Sequence, residues 1–318
     1  MTRKLILIVV LFSGFFTVKS QSEYPLSKER IIQLYDSLYT TSEIQGGIIW
    51  NGHIKKCDPG ELSDDIYQKA QNRINFFRLV NGLSEVRNSR ELNTDAQSAS
   101  LLIKANNELT HYPKKSMKCY SESASNGCLK SCLGISNWVS FPKTSFVTGF
   151  IWDYGESNYF VGHRKWLLFS KLVEFGYGAT NTSEAILTAD GIDFNLKCSK
   201  EFVAYPWEGY VPVNLIFPKW SFSIPKDNTV DFSQAKIKMT DSNGKAIEIK
   251  IYEEYKNYLD PTIVWQAKGL FSSQEITYGQ NSLESRGFLN KKIMVEISDV
   301  IVNGEKKNFK YFVEPIKI

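Results

Sequence analysis

Histidine is scarce: His53, His111 and His163 are the three among 318 residues, so any imidazole chemistry has to be assembled from them. No H-E-x-x-H places two ligands on one helical face, which excludes the local zinc-protease pattern. There is no G-x-S-x-G, no glycine-rich phosphate loop and no Cys–His motif, so a serine elbow, a nucleotide cradle and a thiol enzyme all lack their signatures. No internal repeat and no low-complexity tract occurs. Strong charge of either sign is missing too, with 38 Lys and Arg against 34 Asp and Glu and a formal net charge of +4.

A long apolar run occurs only at the beginning. Arg3 and Lys4 precede the run from Leu5 to Val18, and Val18-Lys19-Ser20 stands before Gln21, the pattern of a secretory signal over residues 1–20. Ser13 and Gly14 interrupt the run, which falls short of the roughly 20 residues a membrane span needs. No cysteine follows it to take a lipid. The expectation is an exported protein, secreted or periplasmic, with no membrane span after the signal is cleaved. Losing residues 1–20 removes Arg3, Lys4 and Lys19 and no acid, which takes the formal charge from +4 to +1. A near-neutral chain offers no electrostatic case for nucleic acid or an anionic membrane.

What is present is a globular composition rich in aromatics, with 16 Tyr and 20 Phe, and a length suited to one large or two ordinary domains. The five cysteines are Cys57, Cys119, Cys128, Cys132 and Cys198. Export permits disulfides, and an odd count leaves at least one thiol without a partner in the chain. Spacing does not dictate connectivity; the pairing expected is Cys57 with Cys119.

Ile31, Leu34, Tyr35, Leu38 and Tyr39 follow helical spacing behind Ser27, a short lead-in helix. A longer helix opens at Ser63, carries Ile66, Ala70, Ile74, Phe77 and Val80 on one face and stops at Gly82. A third begins near Asn93 or Thr94 and runs out before His111, and a fourth covers Ser145 to Asp153. Beyond His163, Leu172–Ala179, Glu184–Ala189 and Glu201–Tyr205 read as strands, so helices followed by strands predict an α+β unit. Pro206, Pro212, Pro218 and Pro225 then punctuate a linker-like stretch. Five β segments follow, at 236–239, 247–252, 262–266, 292–297 and 309–313, with Asp241-Ser242-Asn243-Gly244 as a hairpin turn between the first two. That spacing predicts a small β-sandwich.

His53 has no acid or cysteine at ligand spacing and reads as a surface or packing residue. His111 lies eleven residues before Glu122, while His163 follows Asp153 by ten and Glu156 by seven. Folded together, two imidazoles and one or two carboxylates suit a Zn²⁺ site or a His–carboxylate acid–base pair. A structural role for both histidines stays open at this point. Trp138, Trp152 and Trp166 read as core.

The ordered series Arg73 to Leu83, Glu91-Leu92-Asn93 with Ala96 and Ala99, Leu109-Thr110-His111, Asp153 to Asn158 and Gly162 to Leu168 resembles the CAP (cysteine-rich secretory, antigen 5, pathogenesis-related 1) superfamily. The bacterial subgroup is the one it is similar to, as Cys57-Asp58-Pro59-Gly60 and Lys118-Cys119-Tyr120 also are. The resemblance implies an α-β-α sandwich over 58–205 after a lead-in at 21–57, a linker at 206–217 and an all-β, Ig-like sandwich at 218–318. It implies a cleft holding two His and two acids. By position these are His111, His163 and Glu122, with Asp153 or its rival Glu156 as the second acid. Ser121-Glu122-Ser123 stands where the family has Gly-Glu-Asn. His111 and His163 are the candidate metal ligands, and all four the candidate catalytic groups.

Without a nucleophile motif, the leading expectation is a non-enzymatic extracellular binding module whose cleft takes a metal or a small ligand such as a lipid, a peptide or a cell-surface group. The alternatives are a metal- or His/Glu-dependent hydrolase of peptides and a structural or adhesion protein acting through its β-domain.

Overall fold

Ser27 accepts a hydrogen bond from the Arg30 amide and opens the first helix, the cap its sequence position predicts. The computed structural model describes residues 24–44, 46–136, 146–252, 258–272 and 283–318; the expected signal and Trp138 lie outside them. Among the described residues the chain is mixed α/β, with six α-helices and thirteen strands in several sheets.

Helix α1 (Lys28–Leu34) passes into a π-turn at Tyr35–Tyr39 and buries Ile31, Leu34 and Tyr39. Helix α2 (Asp64–Val80) starts after Ser63 and halts before Gly82, whose φ of 71° needs a residue without Cβ. Helix α3 (Arg90–Asn106) begins earlier than the sequence predicts. Ser89 caps it, because Arg90, Glu91 and Leu92 are good helix formers ahead of the apolar stripe. Helix α4 (Glu122–Lys130) escaped prediction, since what it buries is small: Ala124, Gly127 and Cys128. Helices α5 (Phe146–Trp152) and α6 (Gly162–Leu167) follow.

A four-stranded sheet crosses this helical part. It comprises β1 (Arg87–Asn88), β2 (Ser131–Ile135), β3 (Glu174–Ala179) and β4 (Ser183–Leu187) in the order β1-β3-β4-β2. Side chains alternate across it with period two. Leu133, Ala185 and Leu187 pack on Ala96, Ala99 and Leu102 of α3, while Cys132, Phe175, Tyr177 and Ile186 join the core that contains Phe76 and Phe77 of α2. Helices therefore cover both faces.

Helix α3 also replaces a strand. Beyond the two residues paired with β1, the outer edge of β3 is closed by side chains one helical turn apart. Asn93 Oδ1 accepts from the Tyr177 amide at 2.7 Å. Gln97 both accepts from the Ala179 amide (2.8 Å) and donates to its carbonyl (3.0 Å). Ser100 adds a bond to the Gly178 carbonyl at 2.8 Å. Such closeness demands glycine, because a Cβ on Gly178 would overlap the α3 backbone at Ala96 and one on Gly176 would overlap it at Leu92. Gly178→Ala is expected to cost about 2–4 kcal/mol through backbone displacement, read as a lower urea midpoint at unchanged slope.

The remaining strands are β5 (Val203–Tyr205), β6 (Gly209–Pro212), β7 (Lys219–Ser223), β8 (Val230–Asp231), β9 (Lys236–Thr240), β10 (Lys250–Tyr252), β11 (Thr262–Gln266), β12 (Ile293–Val302) and β13 (Glu305–Ile316). One sheet runs β10-β11-β7-β5; the other runs β6-β13-β12-β8 with β9 also on β12. Their inner faces meet where Phe222 stacks on Tyr311 and where the Trp265 indole donates to Met239 Sδ at 3.1 Å.

Three details differ from the sequence reading. Strand β5, expected to end the first unit, pairs antiparallel with β7. The stretch 206–217, expected as a linker, supplies β6, which pairs in parallel with Val313–Ile316, and a 3-10 turn at Val213–Leu215. Its Trp207 is buried edge-on against Phe76 of α2, 5.9 Å between ring centres, so the two parts share one apolar core. The Asp241–Gly244 turn forms, with the Gly244 amide on Asp241 O at 3.0 Å. It closes the short hairpin expected, with Thr240 bridged antiparallel to Ala246 and the Ile247 amide on Met239 O at 2.9 Å, but beyond it the strands part into different sheets, because β9 pairs with β12 and β10 with β11.

Candidate functional site

Asp153 ends α5 in the left-handed region, at φ 56°, with its amide still bonded to Gly149 O. This turn aims its carboxylate inward, where it is fully buried. Oδ1 lies 2.8 Å from His163 Nδ1, and Oδ2 accepts the Arg164 amide at 3.2 Å. His163 sits in the first turn of α6, its side chain 25% exposed and its ring 5.0 Å from that of Phe150. With Nδ1 given to the carboxylate, Nε2 is the nitrogen left for a ligand or a proton.

Two buried cations hold this pair in place. Arg164 donates Nε to Ile151 O (2.6 Å), Nη1 to Lys219 O (2.9 Å) and Ser221 Oγ (3.1 Å), and Nη2 to Trp152 O (3.3 Å), with its guanidinium 4.3 Å over the Tyr205 ring. Burial pulls its pKa down to about 10. Lys219, from β7, donates to the carbonyls of Asp153, Gly155 (2.8 Å) and Asn158 (3.0 Å), and burial lowers its pKa to about 8. The turn bearing Asp153 is thus fixed by a residue from the second part of the chain.

His111 follows the left-handed end of α3 at Asn107 and rests on the last turn of α4, with Nδ1 2.7 Å from Cys128 O. A carbonyl only accepts, so Nδ1 carries the hydrogen and Nε2 the lone pair. The His163 carbonyl takes a long contact, 3.9 Å, from Cys132 Sγ. Each histidine thus has one contact to the α4–β2 segment, at positions four residues apart, but only for His111 does that contact hold the ring.

The other candidates lie differently. Glu122 is in the first turn of α4, 81% exposed, with Tyr120 Oη at 3.3 Å and Lys115 Nζ at 3.6 Å. Six residues of helix separate it from the Cys128 carbonyl that holds His111, about 9 Å along the axis at 1.5 Å per residue. Glu156 is exposed in a 3-10 turn. Between the rivals for the second acid, Asp153 is the one that reaches His163. His53 caps a 3-10 turn, its Nδ1 accepting from the Lys55 amide at 3.2 Å, in keeping with a local structural part.

Zinc needs three or more protein ligands at a stable site. Among the described residues no three His, Cys, Asp or Glu side chains gather in that way, so they do not fit such a centre. The Cys57–Cys119 disulfide is formed, with Cα atoms 5.0 Å apart.

Sequence reasoning missed Arg164, Lys219 and Glu184. Charged residues inside apolar runs, as in Ile216-Phe217-Pro218-Lys219-Trp220, were the available signal. Glu184, on β4, is fully buried, and neither carboxyl oxygen has a hydrogen-bond partner among the described residues. Burial lifts its pKa from 4.5 to about 8. Between those two values the folded chain holds a proton that the unfolded chain has lost, so stability present below pH 4.5 drains away as pH rises to 8. Glu184→Gln is expected to abolish this loss, gaining about 2–4 kcal/mol on the wild type between pH 5.5 and 8.5 in paired urea titrations.

A groove of about 300 Å³ opens elsewhere, between Pro59–Glu61 and the first turns of α3, and neither His111 nor His163 lines it. No model of a known protein family matches the chain, and no curated protein is significantly similar to it.

Proposed function

We propose that the chain is an exported, non-enzymatic binding module of the CAP type. In this reading the α-β-α unit is followed by an Ig-like β-sandwich, and a small ligand, a peptide or a lipid, is recognised through Nε2 of His163 together with His111. The observation that carries it is the His163–Asp153 pair at 2.8 Å, a partly exposed imidazole held by a buried carboxylate. Both imidazoles have Nδ1 committed to a protein acceptor and Nε2 left over, the disposition a ligand-binding pair needs. Fixing the pair through Arg164 and Lys219 keeps its geometry independent of the ligand.

Titration calorimetry against short peptides and single-chain lipids tests this, with His163→Ala beside the wild type. Binding lost in the variant supports the module; heats equal in both overturn it. With Zn²⁺ as titrant, wild type and the His111→Ala/His163→Ala double variant are expected to give equal heats.

A hydrolase is the second reading, favoured by the same pair, since an imidazole oriented by a carboxylate is what a general base requires. Against it stands the nearby thiol. Cys132 is buried, and burial pushes its pKa well above the usual thiol range. Peptide cleavage by the wild type that disappears in His163→Ala would establish the hydrolase instead.

A further inference from the structure

The near-neutral charge of the chain is an average, and charges act locally, over about 8 Å in physiological salt. Two short loops depart from that average. The turn 53–58 carries Lys55 and Lys56, and the α3–α4 connection 107–121 carries Lys114, Lys115 and Lys118; all five are exposed. Asp58 and Glu108 are the only acids in these two stretches. The Cys57–Cys119 disulfide binds the loops to each other, and Cys119 Sγ lies 3.3 Å from the Ile54 carbonyl. Lys118 is held against the end of α3 by reciprocal bonds with Asn106 (2.9 and 3.0 Å). Among the described residues Lys115 alone of the five has an ion-pair partner, the exposed Glu122.

Beside these lysines the same surface exposes apolar side chains. Tyr112 is 79% exposed, Leu109 45% and Leu129 53%. The bond from His111 to Cys128 O brings the 109–112 stretch against the end of α4 that bears Leu129. Water gains nothing from three large apolar groups set among ammonium groups, but a lipid headgroup layer solvates both.

We propose that this disulfide-tied face docks onto an anionic phospholipid surface. The lysines meet headgroup phosphates, while Tyr112, Leu109 and Leu129 enter the boundary beneath them. A soluble polyanion would satisfy the lysines but leave the apolar groups in water, which is why the lipid surface is the better fit. The proposal does not use the His163–Asp153 pair and stands or falls apart from it.

Co-sedimentation of the purified protein with phosphatidylcholine vesicles, with and without about a third phosphatidylglycerol, tests it. Binding is expected only to the anionic vesicles. It should weaken about tenfold or more when Lys55, Lys56 and Lys118 are all changed to Gln, and also when salt rises from about 0.05 M to 0.5 M. Tyr112→Ser with Leu129→Ser, at unchanged charge, should weaken it several-fold. All five positions are exposed, so circular dichroism and the melting temperature should not move, which separates lost binding from lost folding. Failure to pellet with anionic vesicles overturns the proposal. So does full binding by the triple lysine variant. Binding that ignores the Tyr112/Leu129 change and is competed away by heparin overturns it in favour of a polyanionic partner.

Discussion

Arg164→Met is expected to lose about 3–5 kcal/mol of folding stability, the largest effect of any single substitution considered for this chain. The guanidinium is fully buried and serves acceptors on α5 and β7, so its loss leaves the carbonyls of Ile151, Trp152 and Lys219 without a donor in a site water does not reach. Arg164→Lys should recover little of it, because a point charge cannot replace a planar fork that donates in several directions at once. Urea unfolding measures the loss. The imidazole resonances of His163 provide a second reading, since Arg164 connects the Asp153 turn with the sheet behind it.

Replacing Cys57 and Cys119 by Ser should cost about 4 kcal/mol, the chain-entropy value for a crosslink spanning 62 residues. Melting the wild type with and without a thiol reductant checks it: reductant should lower the wild-type midpoint to that of the variant and leave the variant unmoved. If Cys57 and Cys119 already remain close in the unfolded chain, the cost will be smaller, and a shallow difference between the two melts would show it.

The long helices were legible because apolar residues mark their faces and Ser27, Ser63 and Gly82 mark their ends. The outer strands were legible for a comparable reason, being β-branched and aromatic between polar turns. Helix α4 and the early start of α3 were not, because their packing relies on Gly127, Ala124 and Asn93, residues too small or too polar to register as a stripe. The destination of β5 and β6 was hidden for another reason. Pairing partners lie far along the chain, and prolines at 206 and 212 look the same in a linker as at the ends of short strands. At the candidate site the ten-residue spacing of Asp153 and His163 was enough to nominate the pair. The cations behind it were not legible, since nothing local to Lys219 tells that it reaches back to a turn some sixty positions earlier. Glu122 and His111 were nominated together by distance in sequence, and the rigid rise of α4 is what sets them apart.

The parallel pairing of β6 with β13 carries a consequence for synthesis. Gly209 finds its ladder partner in Val313, so β6 has no partner strand until translation has gone past residue 316. Strand β12 waits for the same stretch on one of its sides. A nascent chain halted near residue 300 would therefore emerge with its helical layers able to form but with an open β edge. Chaperone capture before compaction would be the natural fate of such an intermediate.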